Sequence, residues 1–343
     1  MISLLVINYR SAPLAIDAIR SARAATDGEL QVVVVDNSVD ASEADRLRGH
    51  SDVLLTPDRN LGYAGAINAG RARCRGEVIV VANADVVFSP ASIDKLAGEL
   101  DRAAVAGPAL FWDDAMKWML PPSELHTSRE KLGEAIASRS AWLARRRDRR
   151  RIAARLHFWS ATWTVETRAI SGAVMAIRAA DFDAIGGFDE RFPLYFEEND
   201  FLRRMTKRGK RIAYVPSARC RHIFNQSAGS ESERAAAAYA DSEMRYLEKW
   251  HGRTLARLAK AIERPRPSPD PQRVNGPLDV PPRALVEASP LPSFETAAGH
   301  FPTSAAVDIP PEVWSAYRSP VLYLRVIDPP TRRVLATYAR YKS

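Results

Sequence analysis

Acidic residues are concentrated in the segment Phe188–Asp200, in which Glu197 and Glu198 are adjacent and Asp200 follows closely. Carboxyl groups held near one another raise each other's pKa, which suits a general base that accepts a proton near neutral pH. Acidic residues also gather in the first turn of helices, and a helix is predicted here from Glu198 to Arg208. The segment therefore indicates a base, a helix start, or both in different residues.

Polar side chains also stand at or just after the ends of three apolar, strand-like runs; they are Asn8, Asp36, Asn37, Asn83 and Asp85. Asp36 has the oxygens to accept hydrogen bonds from a uracil or thymine ring N–H, or from a ribose. Asp85 is a suitable ligand for a divalent metal that neutralises a diphosphate, and Asn83 is a weaker, neutral one. An ordinary turn at each strand end is the alternative reading.

A glycine-bearing loop, Asn60–Gly70, opens a helix that is predicted from Ala64 to Cys74. Its small residues let the backbone approach a ligand, and Asn68 can bond a base or hold the loop. The loop lacks the Gly-Lys-Ser/Thr ending of a phosphate loop. His222 follows a predicted strand, Arg211–Val215, and can complete a metal or diphosphate site, although a lone histidine is more often structural.

These residues are positioned by strands that alternate with helices through the first hundred residues. The predicted strands are Ser3–Asn8, Gln31–Val35, Asp52–Thr56 and Glu77–Ala82, and the last helix of this part begins at Ser89-Pro90. Alternation of this kind predicts a parallel sheet with crossover helices, which binds ligands at the carboxyl ends of its strands. A later strand is predicted at Ala169–Ile177.

The bulk composition is that of an ordinary globular protein, with 343 residues, 46% hydrophobic and 26% charged. Two cysteines, Cys74 and Cys220, are too few for a disulfide framework and have no zinc spacing. We find neither a signal-peptide pattern nor an apolar run of the roughly 20 residues that a transmembrane helix needs. A cytoplasmic location is therefore expected.

Residues 112–165 are predicted to form a helical, basic insertion. Seven arginines and one aspartate fall between residues 141 and 155, so most of the net charge of +8 lies there. Arg145–Arg155 is either a solvated helix face or a surface for anionic lipid headgroups or a lipid-diphosphate acceptor, and the nearby Trp142 and Trp159 favour a membrane interface. Because the remaining charge is nearly balanced, nucleic-acid binding is not expected.

The composition changes after Arg264, because twelve of the 23 prolines lie between Pro265 and Pro311. We expect residues 1–264 to form the main domain and residues 265–343 a Pro-rich linker or arm with a small β-rich extension. Val321–Asp328 and Arg333–Tyr341 are predicted to pair as a hairpin, which should pack on the main domain or on a second subunit. Acceptor positioning and homodimerisation are both open roles for it.

Eight blocks in order resemble family 2 of the inverting GT-A glycosyltransferases, most closely its bacterial rhamnosyltransferase branch. They are Val6–Tyr9, Val35–Ser38, Asn60–Ala64 with Asn68, Asn83–Val86, Ser171–Ala173, Gly186–Phe192, Phe196–Asp200 and His222. The resemblance covers roughly residues 1–250 and implies an α/β GT-A fold, a Rossmann-like, mostly parallel sheet flanked by helices. It also implies transfer of a sugar from a nucleoside-diphosphate donor to an acceptor hydroxyl, with inversion.

The resemblance implies a role for each matching position. The residues implied in donor binding are Asn8, Asp36, Asn60, Gly62, Asn68, Asn83 and Asp85. Those implied at the acceptor or sugar are Gly172, Ala173, Glu197 and Asp200. Asp85 and His222 would hold Mg²⁺ or Mn²⁺, and Glu198 would be the base. The implied partners are a nucleotide sugar, with dTDP-rhamnose first and UDP-sugars next, and a glycan, lipid-linked or small-molecule acceptor.

Two positions depart from the family pattern. Asn83-Ala84-Asp85 stands where an Asp-x-Asp or Asn-Pro-Asp motif is usual, and Glu198 stands where the base is usually aspartate. Glu197 and Asp189 remain alternative bases. Asn83 also leaves open a catalytically silent nucleotide-sugar-binding or scaffold protein on the same fold. A nucleotidyltransferase is disfavoured, because the chain lacks a glycine-rich nucleotide loop with a trailing Arg or Lys.

Overall fold

A computed structural model describes residues 1–121, 123, 127–137, 140–223, 232–261 and 271–342. The strands of the large sheet are β1 (Ile2–Asn8), β2 (Leu30–Asp36), β3 (Val53–Leu55), β4 (Val78–Asn83), β5 (Val86–Phe88), β6 (Val105–Phe111), β7 (Val165–Thr167), β8 (Val174–Arg178) and β9 (Ile212–His222). The helices are α1 (Ala12–Arg23), α2 (Ala41–Leu47), α3 (Gly62–Arg71), α4 (Ser92–Glu99), α5 (Ser128–Ala137), α6 (Ala141–Trp159), α7 (Ala179–Ala184), α8 (Glu197–Lys207), α9 (Ser232–His251), α10 (Arg253–Ala261) and α11 (Pro311–Ala316).

Within the described residues the large sheet has nine strands, ordered β3-β2-β1-β4-β8-β6-β9-β5, with β7 paired to β9. The strands β3, β2, β1, β4, β6 and β9 share one direction, whereas β5, β7 and β8 run the opposite way. The expectation of an α/β fold with a mostly parallel sheet and flanking helices is therefore confirmed.

Alternate residues of the central strands enter two different cores. Leu4 and Val6 of β1 pack with α1 and α4, whereas Leu5 and Ile7 pack with α3, α7 and α8. The same alternation continues through β2 and β4. Strands buried on both faces read as unbroken apolar runs, which is why the sequence shows them so clearly.

Several elements differ from the sequence prediction. The buried strand β6 lies in the middle of the sheet and was not predicted. The run Val86–Phe88 forms β5, so α4 begins at Ser92 and not at Ser89-Pro90. β8 begins at Val174 instead of Ala169, and β9 continues to His222 because β5 and β6 pair with its second half. Pairing between distant segments decides all four cases.

The C-terminal residues form a folded sheet and not an extended arm. Its strands are β10 (Gln272–Arg273), β11 (Leu278–Asp279), β12 (Leu285–Ser289), β13 (Ala298–His300), β14 (Ala306–Val307), β15 (Val321–Asp328) and β16 (Arg333–Tyr341). Five of the described strands pair in the order β10-β16-β15-β12-β13, and β11 pairs with β14. The predicted hairpin is β15–β16, but the proline-rich segment before it supplies strands on both sides. The expected boundary at residues 264–265 lies outside the described residues.

This C-terminal sheet shares its core with the large sheet. Val286 and Leu324 belong to the same apolar cluster as Leu4. Backbone hydrogen bonds of 2.8 Å join Met119 and Gly299 in both directions. A Cβ at Gly299 would lie 2.4 Å from the Trp159 ring, so only glycine allows this close approach. The main domain and the C-terminal sheet are therefore packed as one body.

Candidate functional site

The carboxyl ends of three neighbouring strands bring the predicted polar residues together. Asn8 of β1 lies opposite Asp36 of β2, and Ile7 lies opposite Asn83 of β4. Asp85 follows in the short turn between β4 and β5. The site therefore lies where the parallel arrangement predicts it.

Asn8 is fully buried and holds the end of β2 in place. Its amide nitrogen donates to Asp36 Oδ1 at 3.0 Å and to Glu43 Oε2 at 3.1 Å. Asp36 Oδ1 also accepts from the Ser38 backbone N–H at 3.1 Å, and the residue is only 2% exposed. Asn8 thus positions Asp36. Glu43, which sequence reasoning missed, also accepts from the Ala12 backbone N–H.

The end of the loop before α3 is held by the side chains of Asn37 and Asn60. Asn37 donates to the Gly62 carbonyl at 2.9 Å and accepts from the Leu61 N–H, a role that the sequence did not assign. Asn60 accepts from the Gly62 N–H at 2.8 Å. Gly62 has φ 71°, and a Cβ there would lie 2.6 Å from the Pro193 carbonyl oxygen. Glycine is therefore required at this position.

Asn68 of α3 is bonded to the segment that follows α7. Its Oδ1 accepts from the Phe188 N–H, and its amide nitrogen donates to the Phe188 carbonyl and to Glu190, each at 2.9 Å. Of the two roles left open for Asn68, holding the loop is the one that the contacts support.

Asp85 and His222 form the predicted pair at the edge of the site. Their strands lie side by side, because Val86 pairs with His222, and Asp85 Oδ1 is 3.3 Å from His222 Nε2. Burial opposes the charged form of His222, but the Asp85 charge and hydrogen bond prevail and raise the pKa of the imidazole. Nδ1 of His222 is buried without a hydrogen-bond partner among the described residues. Among the described residues, no group of three or more His, Cys, Asp or Glu side chains is arranged so that it could hold a metal ion.

Glu197 and Glu198 begin helix α8. The two preceding residues, Tyr195 and Phe196, have left-handed φ values of 68° and 66°, which turn the chain sharply into the helix. Left-handed backbone at consecutive bulky residues costs free energy, so the surrounding packing must hold it. Phe196 packs against Tyr246 of α9, with ring centroids 5.5 Å apart.

Glu198 faces the turn before β8. A Cβ at Gly172 would lie 3.3 Å from the Glu198 Cβ and Cγ, so the missing side chain of Gly172 leaves room for this carboxylate. The hydroxyl of Tyr63, in the first turn of α3, donates to the Gly172 carbonyl at 2.9 Å. Ala173 accepts from the Asn83 N–H at 2.9 Å. Tyr63, which the sequence did not single out, therefore connects the α3 loop to the turn beside Glu198.

The two glutamates have different surroundings. Glu198 is half-buried and accepts from Asn199 Nδ2 at 3.0 Å. Glu197 is 5% exposed, and its Oε2 has no hydrogen-bond partner among the described residues. Burial raises the pKa of both carboxyl groups, and the Glu198 charge raises the pKa of Glu197 further. Two interacting acids of this kind titrate as a pair.

If one of these two glutamates is the catalytic base, kcat/KM should depend on the protonation state of the pair. A base must be ionised, so kcat/KM should fall as pH decreases through an apparent pKa above about 4.3, the usual glutamate value. Because the pKa values of the pair are raised in the folded state, the folded protein binds more protons above this pH than the unfolded chain does. The stability that the pair contributes should therefore decrease as pH rises. A rate–pH profile and unfolding curves of the wild type and Glu197→Gln will check both. An acid limb at an ordinary glutamate pKa would contradict this.

The other two predicted acids of the segment, Asp200 and Asp189, form ion pairs with basic side chains. Asp200 is fully buried; Arg204 donates to one oxygen at 2.8 Å, and Trp250 donates to the other at 2.8 Å. Both oxygens of Asp200 are therefore engaged by residues of the fold. Arg191 and Lys249 bind Asp189 and hold its pKa well below the usual range, which makes it a poor base.

The residues that match the predicted motifs thus converge on one edge of the sheet. Residues 1–241 match the family described as "Glycosyltransferase like family 2". The chain belongs to glycosyltransferase family 2. Membership of the expected family is therefore confirmed, and the protein is a glycosyltransferase with an α/β fold of the GT-A type.

Similar proteins include enzymes of bacterial glycan assembly. The N-acetylglucosaminyl-diphospho-decaprenol L-rhamnosyltransferase of Mycobacterium tuberculosis (strain ATCC 25618 / H37Rv) is 28% identical over 272 residues, or 73% of this chain and 85% of that protein. The succinoglycan biosynthesis protein ExoO of Rhizobium meliloti (strain 1021) is 36% identical over 121 residues, or 33% of this chain and 32% of that protein.

Among solved structures, the mannosyltransferase PcManGT from Pyrobaculum calidifontis with GDP-Man and Mn²⁺ gives a TM-score of 0.47 at 14% identity, covering 76% of this chain and 73% of that one. GalNAc-T7 with UDP, GalNAc and Mn²⁺ gives 0.48 at 15% identity, covering 65% of this chain and 44% of that one.

Proposed function

We propose that this glycosyltransferase transfers a sugar with inversion from a nucleoside-diphosphate donor to a hydroxyl group of a lipid-linked bacterial glycan acceptor. dTDP-rhamnose is the leading donor, because the mycobacterial relative is a rhamnosyltransferase that matches over 73% of the chain. That relative's name also places a diphospho-decaprenol on its acceptor, which supports a lipid-linked acceptor here. UDP-sugars are the next donors to test.

The observation behind the proposal is the position of Glu198. It is half-buried, its pKa is raised, and it lies against Gly172, which Tyr63 connects to the α3 loop. A base in that position lies between the turn before β8 and the start of α8, and we propose that the acceptor binds beside it. We place the acceptor next to Glu197, with Gly172 and Ala173 lining the sugar position.

In the proposed reaction, the acceptor oxygen attacks the anomeric carbon of the donor sugar from the face opposite the diphosphate. Glu198 takes the proton from that hydroxyl as the new carbon–oxygen bond forms. The bond from the anomeric carbon to the diphosphate oxygen breaks, and the nucleoside diphosphate leaves with the electron pair. Because one displacement occurs, the configuration inverts and no covalent sugar–enzyme intermediate forms.

We further propose Asp85 and His222 as protein ligands for Mn²⁺ or Mg²⁺. They supply one carboxylate and one imidazole within 3.3 Å of each other, and His222 has a buried ring nitrogen without a partner among the described residues. Two protein ligands suit an ion whose remaining ligands are substrate phosphates and water. When bound, the ion would neutralise charge on the leaving diphosphate.

Ligand-dependent unfolding tests the donor site. We expect dTDP-rhamnose with Mn²⁺ to stabilise the protein by about 2.7 kcal/mol when the donor is at a hundred times its Kd. Asp85→Ala should lose the metal-dependent part, whereas Asp45→Ala, at an exposed position on α2, should not. If no nucleotide sugar raises the unfolding temperature with either metal, the transferase proposal falls.

A catalytically silent donor-binding protein is the second candidate, because Asn83 stands where a carboxylate is usual. Donor binding without transfer to any acceptor would favour it. Glu198 argues for catalysis, since a merely structural helix start does not need a half-buried carboxylate whose pKa is raised.

A further inference from the structure

Helix α6 has arginines on two opposite faces. Arg147, Arg151 and Arg155 recur every fourth residue and point towards the protein. Arg145, Arg146, Arg149 and Arg150 form a second, exposed row. The helix therefore does not show one apolar and one polar side in its sequence, and only its packing separates the two sets of arginines.

The inner arginines are used by the fold. Arg147 pairs with Glu134 of α5. Arg151 donates to Asp148 at 2.9 Å and to the Ser293 carbonyl at 2.6 Å. Arg155 is fully buried against Glu287 of β12. These three side chains are therefore not available to an external partner.

The outer row is joined by an aromatic residue. Trp142 is 60% exposed, and the Arg146 guanidinium lies 5.5 Å from its ring centre. We define Trp142, Arg145, Arg146, Arg149 and Arg150 as the outer face of α6. Four guanidinium groups and one indole on consecutive turns match an anionic lipid surface, where basic side chains meet headgroups and tryptophan settles at the interface.

The outer face also contains unfavourable like-charge pairs. Arg145 and Arg149 are four residues apart, as are Arg146 and Arg150, and such pairs destabilise an isolated helix. An anionic surface would relieve this repulsion, whereas water alone only screens it. This arrangement distinguishes the outer face from a solvated helix with alternating charges.

Helix α6 is connected through α5 and α9 to α8, the helix that carries Glu198. Arg147 donates to the Glu130 carbonyl of α5 at 3.1 Å, and Lys131 of α5 pairs with Glu243 of α9 at 2.6 Å. Ser242 of α9 donates to the Leu194 carbonyl at 2.8 Å, beside the start of α8. The helices that present the outer face thus pack next to the segment that positions Glu198.

We propose that the outer face of α6 docks on an anionic phospholipid bilayer and so brings the site of Glu198 to a membrane-borne acceptor. This inference names the surface that meets the membrane, and its link to catalysis rests on the proposed lipid-linked acceptor. Each arginine near an anionic surface contributes about fivefold in binding, so four together contribute roughly several hundred-fold.

Co-sedimentation with phosphatidylcholine vesicles, with and without phosphatidylglycerol, tests the docking surface. The outer-face variant replaces Arg145, Arg146, Arg149 and Arg150 with glutamine. The control makes the same change at four exposed arginines around α1 and α2, Arg20, Arg23, Arg46 and Arg48. We expect the wild type and the control to bind phosphatidylglycerol vesicles in a salt-sensitive way, and the outer-face variant to bind roughly several hundred-fold more weakly.

Equal binding by the outer-face variant and the wild type would overturn the proposal, as would binding that does not depend on phosphatidylglycerol. An equal loss in the control would also overturn it, because net charge and not this surface would then explain the effect.

Unchanged unfolding temperatures will show that each variant folds. Transfer to a water-soluble, short-chain acceptor should be the same in all three proteins. If that transfer fails in the wild type, the proposed function is wrong, and the vesicle result still decides the docking.

Discussion

Glu198→Gln should lower kcat by about 10²- to 10⁴-fold, and the Kd of the donor should stay unchanged. Glutamine fills the same space against Gly172 and can still accept from Asn199, but it cannot take the proton of the acceptor hydroxyl. In the proposed site the donor contacts residues at the ends of β2 and β4, which this substitution does not change. Steady-state rates together with donor titration by calorimetry will separate the two effects.

Glu197→Gln is the matched control for this prediction, because it removes a carboxyl group from the neighbouring residue of the same helix turn. If Glu197 is the base, the large loss will occur in Glu197→Gln and Glu198→Gln will remain active. Full activity in Glu198→Gln would overturn our assignment of the base. Asp189 is a weaker alternative, since Arg191 and Lys249 keep it ionised and paired.

Glu287→Gln should destabilise the protein by about 3–5 kcal/mol, the largest stability effect that we expect of a single substitution. Glu287 is fully buried in β12 and lies between two buried cations. Arg155 of α6 donates to one oxygen at 3.1 Å, and Arg325 of β15 donates to the other at 2.6 Å. Glutamine would remove the negative charge that Arg155 and Arg325 share. Arg325 would keep its ion pair with Asp148 at 2.9 Å, so most of the loss should arise at Arg155, whose side chain is fully buried.

Urea unfolding of Glu287→Gln measures this effect, and Asp17→Asn provides the contrast. Asp17 pairs with Arg20 at 2.8 Å, but both side chains are more than half exposed. Exposed pairs contribute about 0–1 kcal/mol, so Asp17→Asn should change little. Similar losses in the two variants would show that the buried network does not hold α6 to the C-terminal sheet. Because the cores are continuous, we also expect the C-terminal sheet to unfold with the main domain.

Much of the candidate site could be predicted from local sequence patterns. Asn8, Asp36 and Asn83 each end an apolar strand, and parallel strands bring such ends together at one edge. Gly62 in the loop has a left-handed φ of 71°, which glycine adopts readily. These features depend on a few neighbouring residues, so they are visible before any tertiary contact is known.

The roles of the polar residues needed the tertiary structure. Asn68 and Asp200 have the right types for ligand contacts, yet Asn68 bonds Phe188 and Asp200 is closed in by Arg204 and Trp250. Tyr63 was missed because its partner, the Gly172 carbonyl, is distant in sequence. A side chain's available hydrogen bonds depend on which segments pack against it, and the residue type does not contain that information.

By itself, the sequence determined the alternation of strands and helices, the order of the family motifs and the short set of acids among which the base is sought. Only the tertiary structure decided that β6 lies in the middle of the sheet, that β9 extends to His222, and that the proline-rich segment joins a C-terminal sheet. It also decided which arginines of α6 are buried and which form the outer face. The periodicity of buried residues extends over only a few positions, so the sequence reveals it. The pairing of distant strands and the formation of buried ion pairs depend on how the whole chain packs around its core.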